Sequence, residues 1–191
     1  MEPRANALRQ LCDTLRGLGI PYVVVGSLAS SARGVPRSTV DGDLVAAVRV
    51  KDADRVAAAL GADWYADSVQ MASAVSAGRS FNVIHQPSFL KFDIFPVMEE
   101  FHHVQLERAT EAEVNFLGES VLCPVATAED ILLAKLRWYR EGGEVSERQW
   151  TDIHGILAIN PELDFDYVNG WAARLRVADL LARALRERDN A

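Results

Sequence analysis

The sequence has few of the features that mark several large classes of protein. Its 191 residues include only two cysteines, Cys12 and Cys123, which share no short motif, so we predict neither a disulfide framework nor a zinc site. No apolar run approaches the ~20 residues that span a bilayer, and the first residues lack the apolar core of a signal peptide. We therefore expect a cytoplasmic protein without membrane contact.

Positive charge is also scarce, because 20 lysines and arginines stand against 27 aspartates and glutamates, which gives a net charge of −7. Tight, non-specific binding of DNA or RNA needs a basic surface, so this balance argues against it, although a local basic patch is compatible with it. Two catalytic signatures are missing as well, the glycine-rich P-loop and the G-x-S-x-G turn of serine hydrolases.

What the sequence does contain is a change of pattern near residue 125. Before it, β-branched and aromatic runs alternate with helical segments, whereas only helical periodicity follows. We predict an α/β (α+β) domain over 1–125, with a mixed sheet and flanking helices, and a helical C-terminal region over 126–191 packed against it. The predicted strands lie at 20–25, 40–50, 62–65, 80–85 and 89–95, with a hairpin over 113–125. Thr127 and Ser146 are predicted N-caps of two helices.

The stretch from Tyr22 to Val45 carries the strongest chemical signal. An apolar strand stops at Gly26-Ser27, and two aspartates, Asp41 and Asp43, follow one residue apart. Residues i and i+2 of a strand point to the same face, roughly 7 Å apart. An Asp-x-Asp before a strand is often only a solvated loop. Two acids beside a glycine-led turn are nevertheless explained better by a divalent metal ion that holds a nucleotide's phosphates.

A third acid strengthens this interpretation. In the predicted strand 89–95, Asp93 shares one face with Lys91, while Leu90, Phe92 and Ile94 share the other. An acid within an apolar strand is costly unless it faces water, a partner or a metal. We therefore predict that three aspartates hold one or two Mg²⁺ (or Mn²⁺) ions, which prefer oxygen ligands, and that they form the catalytic centre. The three are Asp41, Asp43 and Asp93.

Phosphate binding is predicted beside these acids. Gly26 permits close approach of the backbone, and Ser27 at the start of a helix offers a hydroxyl and free N–H groups. Arg37 is placed to neutralise phosphate charge.

Three strings together resemble the nucleotidyltransferase superfamily that includes DNA polymerase beta. They are GS at 26–27, RSTVDGD at 37–43 and FDIF at 92–95. The second also resembles the Arg-x-Thr-x-Asp-x-Asp spelling of minimal nucleotidyltransferases, a group that includes toxins of type IV toxin–antitoxin systems. The resemblance implies metal ligation by the three aspartates and nucleotide binding by the residues before them. The implied nucleotide-binding residues are Gly26, Ser27, Arg37 and Thr39.

The resemblance extends, less specifically, to the C-terminal half. There the superfamily has a lysine on a helix that starts with Glu-Asp, which implies that Lys135 contacts nucleotide phosphate and that Asp152 is an accessory residue near the site. The alternatives are a surface lysine that covers apolar residues and a helix-surface charge beside Arg148. One departure is Gly42, where the superfamily usually has a bulky aliphatic residue. Either Leu44 and its neighbours fill that space, or the strand begins only at Asp43.

The implied activity is Mg²⁺-dependent transfer of a nucleoside monophosphate from an NTP, such as ATP, to an acceptor hydroxyl. The acceptor is an RNA such as tRNA, or a protein, if the chain is a toxin with an antitoxin partner. The alternative acceptor is a small molecule of the aminoglycoside kind, which an acidic chain would suit. A different class of function is a non-catalytic nucleotide-binding or partner-binding module on the same fold.

Overall fold

The structure is a computed structural model that describes residues 6–35, 39 and 41–190. Its contacts divide the chain into two compact units. The first comprises the described residues of Met1–Leu28 and Ser38–Ala126, and the second those of Ala29–Arg37 and Thr127–Ala191.

The elements follow the predicted order of an α/β part and a helical part. In chain order they are α1 Asn6–Gly17, β1 Tyr22–Val25, α2 Gly26–Arg33, β2 Asp41–Ala46, α3 Ala53–Leu60, β3 Trp64–Tyr65, α4 Ser68–Ser76, β4 Phe81–His85, β5 Leu90–Pro96, α5 Glu100–Arg108, β6 Thr110–Phe116, β7 Glu119–Val125, α6 Ala128–Glu141, α7 Glu147–Ile159, α8 Phe165–Arg174 and α9 Ala178–Asp189. The predicted fold class, a mixed sheet with flanking helices and then a helical region, is confirmed. No helix among the described residues is long and apolar enough to cross a membrane.

The first unit is built on one seven-stranded sheet with the order β3-β4-β5-β2-β1-β7-β6. Strand β2 pairs antiparallel with β1 and parallel with β5, and β1 pairs parallel with β7. The remaining pairs, β3 with β4, β4 with β5 and β6 with β7, are antiparallel. Helix α1 packs against α3, and it buries the apolar side chains of Leu8, Leu11, Cys12 and Leu15.

Strand β2 is shorter than the sequence predicts, because it ends at Ala46 rather than near residue 50. A 3-10 turn follows over Val50–Asp52. The buried carboxylate of Asp52 stabilises this turn, because it accepts hydrogen bonds from the backbone N–H and the side-chain Nε of Arg49, at 3.1 and 3.0 Å. The strand itself ends where its partners end, because Ala46 pairs with Tyr22 at the start of β1 and with Pro96 at the end of β5.

The second unit contains helices α6 to α9 and the last part of α2. Helix α6 packs against α7 and α8, and α9 packs against α7 and α8. Both predicted N-caps are confirmed. The Thr127 side chain accepts from the N–H of Asp130 at the start of α6, and the Ser146 side chain accepts from the N–H of Gln149 at the start of α7.

The space beside Gly42 is filled mainly from the neighbouring strand, and the explanation that the strand begins only at Asp43 is wrong. Strand β2 already begins at Asp41, and Gly42 lies directly opposite Phe92 of β5. A Cβ atom at position 42 would lie 2.5 Å from Cδ1 and 2.8 Å from Cε1 of Phe92. The fully buried ring of Phe92 also packs against Trp64 and Phe116, with ring centroids 5.7 and 5.9 Å away. The aromatic side chain therefore takes the volume that a bulky aliphatic residue would occupy.

We expect Gly42→Ala to lower the free energy of unfolding by about 1–3 kcal/mol, because the added methyl overlaps a fully buried ring that packs against Trp64 and Phe116. The matched control is Gly17→Ala in α1, where an added Cβ meets nothing within 4 Å. Urea unfolding followed by circular dichroism measures both changes. In a double-mutant cycle, Phe92→Leu should recover about 1 kcal/mol of the loss in Gly42→Ala. Additive losses would contradict the direct contact.

Candidate active site

The register of β2 with β5 brings the three predicted aspartates to one face of the sheet. Asp43 lies directly opposite Asp93, and Asp41 lies opposite Lys91. On β5 the other face is buried through Leu90, Phe92 and Ile94, as the sequence predicts, whereas Asp93 is only half-buried. The acids therefore occupy the accessible face, where a carboxylate can contact a ligand.

The turn after β1 emerges at the same edge of the sheet as the acids. Strand β1 runs antiparallel to β2, and its last residue, Val25, pairs with Asp43. Gly26 follows with φ at +61°, and a Cβ atom there would overlap the carboxylate of Asp43. Only glycine accommodates both this backbone angle and this contact. Ser27 is the second residue of α2 and is half-buried.

A lysine completes the polar cluster. The Nζ atom of Lys91 lies 2.8 Å from Oδ2 of Asp93. This ion pair raises the pKa of Lys91, and the negative charges of Asp41 and Asp43 raise it further. The ammonium group is therefore in the field of all three carboxylates. The i, i+2 spacing to Asp93 already placed Lys91 on this face, but the sequence analysis gave it no role.

The donor set suits a divalent ion only in part. Among the described residues, no group of three or more histidine, cysteine, aspartate or glutamate side chains is arranged to hold a metal ion. Asp43 and Asp93 are nevertheless register partners on one face, and one or two carboxylates with substrate phosphates is the usual ligand set of Mg²⁺. The residues thus fit a metal held by Asp43 and Asp93. Metal binding by Asp41, Asp43 and Asp93 stays a prediction.

The remaining predicted nucleotide contacts of the first half are less defined. The hydroxyl of Thr39 donates to the carbonyl oxygen of Asp41 at 3.2 Å, a contact that braces the entry into β2. Arg37 lies outside the described residues. For both, the role in nucleotide binding stays a prediction.

Lys135 and Asp152 form a buried ion pair in the second unit. The Nζ atom of Lys135 is 2.7 Å from Oδ2 of Asp152 and 3.3 Å from Oε1 of Gln149. Their side chains are 6% and 9% exposed, so the alternatives of a surface lysine and a helix-surface charge are wrong. The pair joins α6 to α7. Sequence spacing did not reveal it, because periodicity describes one helix at a time.

Comparison with known proteins identifies the fold. No protein-family model matches the sequence, and no curated protein matches it either. Among solved structures, the solution structure of the antibiotic-resistance factor ANT(2'')-Ia is 14% identical over 100% of both chains, with a TM-score of 0.52. The crystal structure of ANT(2'')-Ia with adenylyl-2''-tobramycin is 16% identical, covers 90% of this chain and 96% of its own, and has a TM-score of 0.52.

A third solved structure, of an antigenic nucleotidyltransferase-like protein from Paracoccidioides brasiliensis, is 19% identical over 97% of this chain and 92% of its own, with a TM-score of 0.50. At such identities the similarity shows the fold. The chain shares the fold of these solved nucleotidyltransferases, which agrees with the fold that the wider resemblance in the sequence implies. The narrower resemblance to toxins stays a prediction.

We expect Gly26→Ala to be more destabilising than Gly19→Ala. Both glycines have a positive φ, +61° and +67°, but an added Cβ meets Asp43 at position 26 and nothing within 4 Å at position 19. The backbone cost of about 1–2 kcal/mol is therefore shared, and the overlap adds about 1–3 kcal/mol to Gly26→Ala alone. Urea unfolding measures the difference. Equal losses would show that the Asp43 carboxylate does not lie against Gly26.

We expect Lys135→Met to lower the free energy of unfolding by about 3–5 kcal/mol, because it leaves the carboxylate of Asp152 buried without its cation. The double variant Lys135→Met/Asp152→Leu should regain most of this loss, because it removes both charges. Glu141→Ala, which breaks an exposed pair with Arg137 on the same helix, serves as the control and should cost no more than about 1 kcal/mol. Thermal and urea unfolding report all three. A double variant as unstable as the single one would argue against the pair.

Proposed function

We propose that this chain, whose fold is that of the nucleotidyltransferase superfamily, transfers a nucleoside monophosphate from an NTP to an acceptor hydroxyl. The observation that carries the proposal is the register of Asp43 with Asp93 at the sheet edge where the Gly26-Ser27 turn emerges. Fold alone would not support an activity, since one fold serves many functions. Paired carboxylates beside a glycine-led turn at the start of a helix supply the specific chemistry.

Each group has a role in this reaction. The acceptor oxygen forms a bond to the α-phosphorus, the bond from that phosphorus to the β-phosphate oxygen breaks, and pyrophosphate leaves. Asp43 and Asp93, with Asp41 as a further ligand, would hold Mg²⁺ (or Mn²⁺), which neutralises phosphate charge when bound. Asp93 accepts the proton of the acceptor hydroxyl. The N–H groups at Gly26 and Ser27 donate to the outgoing phosphates.

The remaining predicted contacts are secondary to this proposal. Arg37 and Thr39 would add contacts to the triphosphate. Lys135 and Asp152 stay predictions on which the proposal does not depend. A cytoplasmic location, where ATP and other NTPs are available, belongs to the proposal as well.

A small cationic molecule is the acceptor that we favour. The net charge of −7 attracts cations and repels nucleic acid. The solved ANT(2'')-Ia complex contains adenylyl-2''-tobramycin, and that structure covers 90% of this chain. An RNA or protein acceptor, with an antitoxin as partner, is the second candidate. It rests on the Arg-x-Thr-x-Asp-x-Asp spelling that ends at Asp43.

The test is transfer of label from each α-³²P-labelled NTP in turn, with Mg²⁺ or Mn²⁺, to a panel of aminoglycosides and to cell extract. We expect a labelled small molecule. Asp43→Asn keeps the shape of the side chain but removes its charge, and we expect it to lower the rate by at least about 100-fold. The matched control is Asp54→Asn, an exposed aspartate of α3, which should keep the wild-type rate.

The other outcomes are equally informative. Label in RNA or in a protein band would assign the second acceptor class. If the protein binds NTP but forms no labelled product, the proposed enzymatic activity is contradicted. The remaining hypothesis is then a non-catalytic nucleotide-binding module. Label that persists in Asp43→Asn would contradict the site.

A further inference from the structure

The aspartate cluster, defined as Asp41, Asp43 and Asp93, already contains a cation from the chain itself. Lys91 sits on β5 directly opposite Asp41 and two residues before Asp93. Its Nζ atom is 2.8 Å from Oδ2 of Asp93, which is the distance of a charge-assisted hydrogen bond.

Like charges create the need for such a cation. Asp43 and Asp93 lie directly opposite each other on neighbouring strands, and like charges in that position destabilise a sheet. Asp41 adds a third carboxylate to the same face. Without a metal ion, a positive charge nearby is the simplest way to offset this repulsion, and Lys91 supplies it through its ion pair with Asp93.

The same position conflicts with metal binding. The ammonium of Lys91 is paired with one carboxylate oxygen of Asp93, so that oxygen is not available to a metal ion. The charge of the ammonium also repels an incoming divalent cation. The Lys91 and Asp93 side chains are 41% and 26% exposed, so the ion pair is solvated and can be exchanged. A lysine side chain has four methylene groups, which let its ammonium move several ångströms while the backbone stays in the sheet.

We propose that Lys91 is a built-in counter-cation of the aspartate cluster, which a divalent metal ion must displace from Asp93 in order to bind. The inference rests on the proposed function, because it assigns the same carboxylates to the metal. Lys91 is thus a positioning residue that sets how tightly the free protein takes up metal. In the metal-free protein, its positive charge offsets the repulsion between the carboxylates.

The test is a titration of the full chain with Mn²⁺ in the absence of nucleotide. The electron paramagnetic resonance signal of the free ion measures how much Mn²⁺ is bound at each step. We expect Lys91→Met to tighten Mn²⁺ binding by about tenfold or more, because a unit charge a few ångströms away opposes the ion in the wild type. We also expect the metal-free protein with Lys91→Met to melt at a lower temperature than the wild type. Added Mn²⁺ should raise that temperature more than it does in the wild type.

Two controls separate this effect from simpler ones. Lys51→Met removes the same charge from an exposed lysine outside the cluster and should leave the Mn²⁺ affinity within about twofold of the wild type, because solvent screens distant charges. Lys91→Arg keeps the charge and should also keep the weak affinity. Lys91→Gln gives a second neutral variant and should behave as Lys91→Met does.

Unchanged or weaker Mn²⁺ binding in both neutral variants would overturn the proposal, because Lys91 would then have no part in metal uptake or would assist it. Equal tightening in Lys51→Met would overturn it too, since the effect would be one of net charge. The titration contains no NTP, so it is independent of transfer activity. If Lys91→Met binds Mn²⁺ more tightly but the wild type transfers no nucleotide, the proposed function is refuted and the inference about Lys91 stands.

Discussion

The parallel pairing of β2 with β5 is the constraint on which the candidate site depends. A slip of one residue would turn every side chain of a strand to the opposite face, so the site exists only in one register. The contact of Gly42 with Phe92 selects that register from the core side, because the ring fits only where its partner has no side chain. Asp43 and Asp93 are the next pair along. Packing on one face thus aligns the acids on the other.

Core packing thus brings two carboxylates opposite each other, which is electrostatically unfavourable. Two opposed carboxylates repel, and a glycine within a strand adds backbone entropy to the cost of folding. The buried ring of Phe92 explains the glycine, whereas the opposed carboxylates do not improve stability and are explained by a ligand that needs negative charge and close backbone approach. Gly26, whose hydrogen leaves room for the Asp43 carboxylate, belongs to the same explanation. Features of this kind, which lower the stability of the fold, are expected at functional sites.

Local patterns predicted a large part of this arrangement. The alternation along β5 placed Asp93 and Lys91 on the accessible face, and the side chains of Thr127 and Ser146 marked helix starts, because these signals depend on neighbours in the sequence. Contacts between distant segments were not predictable in this way. The ring of Phe92 over Gly42 and the pairing of Lys135 with Asp152 depend on which elements become neighbours. The early end of β2 at Ala46 was missed for the same reason, since β2 ends where its partner strands end, at Tyr22 of β1 and Pro96 of β5.

In the proposed reaction the aspartates and the turn would act on the phosphate side, and this limits what they could select. A carboxylate that accepts a proton from one hydroxyl accepts it from another, so Asp93 gives little discrimination between a sugar, a nucleotide end and a serine. Selection among acceptors must come from groups that contact the rest of the acceptor, and from the field that brings it to the protein. With a net charge of −7, that field concentrates cations and disfavours polyanions. The composition, and not the chemistry of Asp93, is therefore what supports the proposal of a cationic acceptor.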